Sequence, residues 1–168
     1  MKKPSIDKWL EEARSNPAYD KCGMFLFHNG TVRATPKSAV RPETEVVPNP
    51  HLTDDSKGDC AAAGSSVSSC PQVKGMHFSY NEEKVEAALS KALALPGIFF
   101  AKAWLNEGYL EVGDDIMLVM VGGDIRPRVM SALDSLVDDL KHKCISENEV
   151  YKQTITDQQS QTEVSDDL

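Results

Sequence analysis

The chain has 168 residues, of which 40% are hydrophobic, enough for one buried core in a single domain of ordinary size. Its formal net charge of -8 and the lack of a basic stripe exclude a typical nucleic-acid-binding surface. No apolar run approaches the ~20 residues that span a bilayer. The start, MKKPSIDKWLEEARSN, lacks the apolar core of a signal peptide, so the expected location is cytoplasmic, with no membrane association.

In chain order, Ser5 to Asn16 reads as a helix: Ser5 can cap it, and Ile6, Trp9, Leu10 and Ala13 share a face. Cys22 to Phe27 is a short apolar strand, and His28-Asn29-Gly30 reads as a turn or bulge before Thr31-Val32-Arg33. Residues 34–72 contain Pro36, Pro42, Pro48, Pro50 and Pro71, a DDSKGD cluster and AAAGSSVSS. That composition cannot pack as core and predicts a flexible insertion. Val73 to Ser79 resumes a strand. Asn81 caps a helix over 82–95, with Val85, Ala88, Leu89, Ala92 and Leu93 inward and Pro96-Gly97 as its stop. Ile98 to Leu105 is a further strand, followed by an excursion from Gly108 to Gly113.

Ile116 to Val121 is an apolar, β-rich run suited to a buried strand, closed by Gly122-Gly123. From Pro127 the spacing turns helical: Val129, Met130, Leu133, Leu136, Val137 and Leu140 fall on one side, with Asp134, Asp138, Asp139 and Lys141 mostly on the other. Pro127 suits the first turn, and Asp124 just ahead of it can accept unpaired backbone N–H groups. Arg126 therefore emerges at a strand-to-helix junction, near N–H groups that favour anions. Beyond it, Ile145 to Leu168 sets Glu147, Glu149, Asp157, Glu163, Asp166 and Asp167 against Lys152 alone, with no periodicity. An acidic, disordered tail over 144–168 is expected.

Cys22, Cys60, Cys70 and Cys144 show no paired or metal-finger spacing and are expected as free thiols; Cys60 and Cys70 are close enough in sequence to pair on oxidation or share a soft metal. His28, His51, His77 and His142 form no metal-binding motif, and no structural metal is expected. The expected fold class is α+β, with a mostly antiparallel sheet and helices packed on one face.

Three blocks carry a family resemblance: HNGTVRA at 28–34, FSYNEEKVEAAL at 78–89, and EGYLEVGDDIMLVMVGGDIRPRVMSALDSLVDDLK at 107–141. In order and spacing they resemble the large, catalytic subunit of molybdopterin synthase, and the chain looks like a divergent, MoaE-like member. The resemblance implies a two-layer, α/β-hammerhead-like domain over residues 1–143. It also implies a transferase of molybdenum cofactor biosynthesis with no cofactor of its own. A small ubiquitin-like, MoaD-like sulfur-carrier subunit would insert its thiocarboxylated Gly-Gly tail. Its sulfur would pass to cyclic pyranopterin monophosphate, giving molybdopterin. A homodimer with one small subunit at each end, a heterotetramer, is implied as well.

By position, Arg33 and Arg126 match the residues that bind the pterin phosphate, His77 matches a polar substrate-binding histidine, and Lys141 matches the catalytic lysine. Each has a plainer reading. Arg33 can be a strand-end arginine paired with an acid, Arg126 an ordinary first-turn residue, His77 a sheet histidine, and Lys141 a lysine favoured by the helix dipole. Arg128 and Lys143 are the neighbouring alternatives to Arg126 and Lys141. The chain also departs from the pattern. Cys144-Ile145-Ser146-Glu147-Asn148-Glu149 replaces an aromatic-lysine segment, leaving Asn148 near the second lysine's position, and Ile125 replaces a histidine. A noncatalytic pterin- or carrier-binding relative is therefore an alternative, as is an unrelated α+β interaction domain. Catalysis requires Arg33, Arg126 and Lys141 to converge on one cleft.

Overall fold

The computed structural model of the protein describes residues 3–40 and 72–152. In chain order the elements are α1 (Ile6–Arg14), β1 (Met24–Thr31), the short α2 (Lys37–Val40), β2 (Val73–Tyr80), α3 (Glu82–Leu93), β3 (Ile98–Leu105), β4 (Gly108–Glu111), β5 (Asp115–Gly123), α4 (Arg126–Asp139) and β6 (Ile145–Tyr151). All strand pairs are antiparallel, as expected, and they divide into two three-stranded sheets. Sheet A has the order β1-β5-β3 and sheet B the order β4-β2-β6.

β5 is the middle strand of sheet A and is buried on both faces, which is why its sequence is a continuous apolar run without alternation. Met117, Val119 and Val121 join the main core, with Met76 and Phe78 of β2, Val85 and Ala88 of α3, and Val129, Leu136 and Leu140 from α4 and the turn after it. Leu118 and Met120 face the other way, against Trp9 and Ala13 of α1 and Phe100 and Trp104 of β3. The helices thus cover both faces of sheet A: α3 and α4 one, α1 the other. The amphipathic face of α1 needed an apolar partner, and the second face of β5 supplies it.

Several local expectations are corrected. His28, Asn29 and Gly30 continue β1 instead of turning; they pair with Val119, Leu118 and Met117, and the bulge falls between Gly30 and Thr31. Gly122 and Gly123 are the last two residues of β5, as expected, and still pair with Phe25 and Met24; a Cβ on Gly122 would run into the Phe25 ring. The Gly108 excursion is a strand, β4, which pairs with β2. The disordered tail expected from 144 does not begin there. Cys144 is buried, and Ile145–Tyr151 forms β6, whose backbone pairs with β2 from Tyr80 to Val73. An edge strand with a polar outer side carries little apolar signal, so main-chain pairing rather than composition reveals it. Of the expected insertion, residues 41–71 lie outside the described residues, together with Cys60 and Cys70; so do residues 153–168 of the tail.

Candidate functional site

α4 fixes the relation between the sequence-predicted residues. Ile125 caps it, Pro127 sits in its first turn, and Asp124 accepts the Ile125 N–H at 2.6 Å and pairs with Arg128 at 2.5 Å. The helix then runs back along sheet A, antiparallel to β5, with Val129, Ala132 and Leu136 buried. Its 14 residues advance about 21 Å at the usual rise. That is about two thirds of the length of the nine-residue β5, so Lys141 stands toward the opposite end of the sheet from Arg126.

Arg33 stands at the Lys141 end. It lies two residues past Thr31, which pairs with Asp115 at the start of β5, and Val32 exchanges backbone hydrogen bonds with Asp114 and Gly113 at 2.9 and 2.8 Å. Arg126 follows the opposite end of β5, roughly 25 Å away along the strand. The fold therefore brings Arg33 and Lys141 to one end and holds Arg126 apart within a single chain.

Neither arginine is taken up by an acid among the described residues. Arg33 Nε donates to the Thr35 carbonyl at 3.1 Å, and Arg126 Nε meets Met130 Sδ at 3.4 Å. Arg128, by contrast, is held by Asp124. The same distinction separates the two lysines. Leu140–Cys144 forms one turn of π-helix, anchored by the buried Leu140 and Cys144, with Lys141, His142 and Lys143 exposed between them. Lys143 pairs with Asp139, which also takes Lys91 at 2.6 Å. Hydrogen bonds from Lys143 and then Lys91 hold the Asp139 carboxyl below its usual range, and Asp139 in turn pushes the Lys143 ammonium up. Lys143 is thus committed, whereas Lys141 has no hydrogen-bond or ion-pair partner among the described residues. The Cys144 thiol is pushed up, first by burial and then by the charge of Asp139, which makes it a poor nucleophile.

The charge of Lys141 acts instead on His28. That side chain follows Met24 and Leu26 on the core-facing side of β1. Its ring Nε2 is buried with no hydrogen-bond partner. Burial, and then the charge of Lys141, push its pKa below the usual histidine value. The sequence reading missed His28 because it placed a turn there; the signal available was its even spacing from Met24 and Leu26.

Beyond Arg33 the chain is tied to sheet B. The Val73 N–H donates to the Ala34 carbonyl at 2.9 Å, closing the neck of the insertion. The Lys37 N–H reaches the Glu149 carboxylate at 3.3 Å, and the Lys37 ammonium pairs with Glu147. Glu147 and Glu149 stand opposite Phe78 and Met76, on the core-facing side of sheet B; Asn148 stands opposite His77 on the other side. His77 packs its ring on Tyr109, with centroids 5.2 Å apart, over a shallow cavity of about 280 Å³ that Asn148 also lines. His77 is therefore turned away from the face carrying Met76 and Phe78 and does not join Arg33 and Lys141. Among the described residues, no group of three or more His, Cys, Asp or Glu side chains could hold a metal ion.

No protein-family model and no curated protein sequence matches the chain. Solved structures do match its fold. A molybdopterin synthase from Staphylococcus aureus is 12% identical over 92% of this chain and 90% of its own, with a TM-score of 0.60. The molybdopterin biosynthesis MoaE protein from Burkholderia ambifaria is 16% identical over 94% and 89%, with a TM-score of 0.56. A protein–protein complex of subunits 1 and 2 of molybdopterin-converting factor from Helicobacter pylori matches at 18% identity over 87% and 75%, with a TM-score of 0.52. At these identities the likeness is one of fold, and it extends over nearly the whole chain. The chain therefore shares its fold with molybdopterin synthase and MoaE structures.

Proposed function

We propose that this chain is the large subunit of a molybdopterin synthase, a cytoplasmic sulfurtransferase of molybdenum cofactor biosynthesis. Sulfur would pass from the thiocarboxylated tail of a small ubiquitin-like carrier to cyclic pyranopterin monophosphate. The observation that carries this is the pairing of Arg33 with an uncommitted Lys141 at one end of β5, within a MoaE-like fold. Arg33 would fork onto the phosphate, and Lys141 would supply the proton transfer or the nucleophilic amine. The complex of two molybdopterin-converting factor subunits found for the Helicobacter pylori relative supports a small-subunit partner here. An extended tail entering a groove is held largely by main-chain hydrogen bonds, so it asks little of the groove's side chains.

Arg126 enters the site through a second copy of the chain. One copy separates it from Arg33 by the length of β5, while a homodimer related by a twofold axis can bring the two ends together. The Arg126 end presents the exposed apolar side chains Leu95, Ile125 and Met130, suited to such a contact. His77 is left out of the proposed site.

The test is product formation from thiocarboxylated carrier and cyclic pyranopterin monophosphate. Wild type should form molybdopterin, and Lys141→Ala should lower the rate by about a hundredfold or more, with an unchanged melting temperature. A second reading, a noncatalytic binder of pterin or carrier, is favoured by one observation. The β6 positions that face the site side carry Glu147 and Glu149, both engaged by Lys37, and Asn148 points away. Binding of carrier or pterin without turnover would select it.

A further inference from the structure

We infer that the cleft between α3 and the π turn after α4 is a second ligand site, which takes a small organic phosphate with an apolar body. The cleft has a volume of about 470 Å³, within the size range of small-molecule sites. Neither Arg33 nor Lys141 lines it, so it is separate from the site proposed above and does not rest on the synthase reading.

Two walls meet at the cleft. Lys84, Ala87, Ala88 and Lys91 follow one another at i, i+3, i+4 and i+7, so they share one face of α3. Asp139, His142, Lys143 and Cys144 line it from the end of α4 and the π turn, and π turns occur frequently at functional sites. One carboxylate ties the walls together: Asp139 takes Lys91 of α3 on one oxygen, at 2.6 Å, and Lys143 of the π turn on the other. That bridge sets the spacing of the walls before any ligand arrives. The buried part of the lining, Ala88 and Cys144, is small and apolar, and leaves room for an apolar body.

The charge of the lining selects the other half of the ligand. Lys84, Lys91 and Lys143 bring three ammonium groups and Asp139 one carboxylate, which leaves two positive charges with His142 neutral. Both Asp139 oxygens are taken, and the Lys84 ammonium has no hydrogen-bond or ion-pair partner among the described residues. Burial and Asp139 push the Cys144 thiol up, while the charges of Lys84 and Lys143 act against them, so ammonium charge reaches the buried part of the cleft from both walls. A phosphate monoester carries close to two negative charges near neutral pH and accepts hydrogen bonds from several ammonium groups at once. It therefore matches the cleft in charge, and an apolar ester group matches it in lining.

Titration of naphthyl phosphate into the full chain, read by calorimetry, tests the site. It should bind saturably, with naphthol and inorganic phosphate each at least about tenfold weaker, because each keeps only one half of the match. Lys84→Gln should weaken binding about fivefold, the upper range for one exposed charge pair. Ala87→Leu, which fills the cleft from an exposed helix position, should weaken it at least as much, and Arg33→Ala should bind as wild type does. Melting temperatures show that each variant is folded. The inference is overturned by the absence of saturable binding, by inorganic phosphate binding as tightly as the naphthyl ester, or by equal affinity in wild type and both cleft variants. Binding lost in Arg33→Ala but kept in Lys84→Gln would put the ligand at the other end of the argument, in the site of Arg33 and Lys141, and overturns it too. Product formation is not read, so failure of the synthase reading leaves every one of these outcomes decisive.

Discussion

The two ends of β5 are built differently. At the Arg126 end the chain makes an ordinary strand-to-helix passage: Pro127 opens α4, Asp124 receives the Ile125 N–H, and the Asp124 N–H donates to the Gly97 carbonyl at 2.9 Å. Asp124 also pairs with Arg128, and the exposed apolar side chains Leu95, Ile125 and Met130 surround Arg126. At the Lys141 end a π turn replaces the normal helix end, a buried imidazole nitrogen lacks a partner, and Arg33 and Lys141 have no acid beside them among the described residues. Both ends carry a cation without an acid beside it among the described residues, but only the Lys141 end also buries an imidazole nitrogen with no partner, while the Arg126 end offers an apolar surface. A buried polar atom without a partner lowers stability, so it persists where a ligand or a reaction uses it.

The widest test of this contrast separates the arginines. Arg33→Ala and Arg126→Ala should each abolish product formation. Mixing the two unfolded variants and refolding them together should restore up to about a quarter of wild-type activity, because a twofold dimer of unlike chains contains one site with both arginines intact. No recovery on mixing would mean that the two residues do not share a site across two copies.

A packing pair sharpens the comparison on stability. Leu136 is 2% exposed in the main core, and Leu136→Ala should lower unfolding stability by about 2–5 kcal/mol. Met130, on the same helix but 48% exposed, should change it by less than about 0.5 kcal/mol on replacement by Ala. Urea midpoints read both, and light scattering checks whether Met130→Ala weakens self-association.

A smaller effect depends on pH. The folded protein holds the pKa of His28 below its ordinary value of about 6.5, so below that pH the unfolded chain binds the proton more readily than the native state. Stability should fall as pH drops through that window and level off once both states are protonated. In His28→Gln this step should be missing from the pH dependence of the urea midpoint. Least of all, Lys37→Ala removes an ion pair whose partners are 49% and 26% exposed. It should cost under about 1 kcal/mol, and thermal unfolding in low and high salt would register it.

Much of the fold could be read from the sequence because its signals were local. Asn81 caps α3, with its side chain accepting the Lys84 N–H at 3.0 Å, and Pro127 opens α4 where expected. Ile98–Leu105 was legible as a strand for the same reason. β4 and β6 were not, since short edge strands owe their existence to pairing with β2, a partner distant in sequence. For the proposed site, Arg33 and Lys141 were singled out by position in a familiar order of motifs. Their distance from Arg126 was hidden, because that depends on α4 running back along β5. His77 was misplaced by parity: Met76 and Phe78 take the core side, so the residue between them must face out. His28 was hidden by a glycine that looked like a turn and is a strand residue.

The π turn at Leu140–Cys144 also sets the phase of everything after it. A π turn accommodates one residue more than an α turn, and a strand exposes alternate residues on alternate faces. Removing one residue between Lys141 and Cys144 would start β6 one step earlier. Asn148 would then exchange faces with Glu147 and Glu149. Which chemistry β6 presents toward Lys141 is therefore governed less by point substitution than by a single insertion or deletion upstream, and such an indel could alter the site without touching any residue in it.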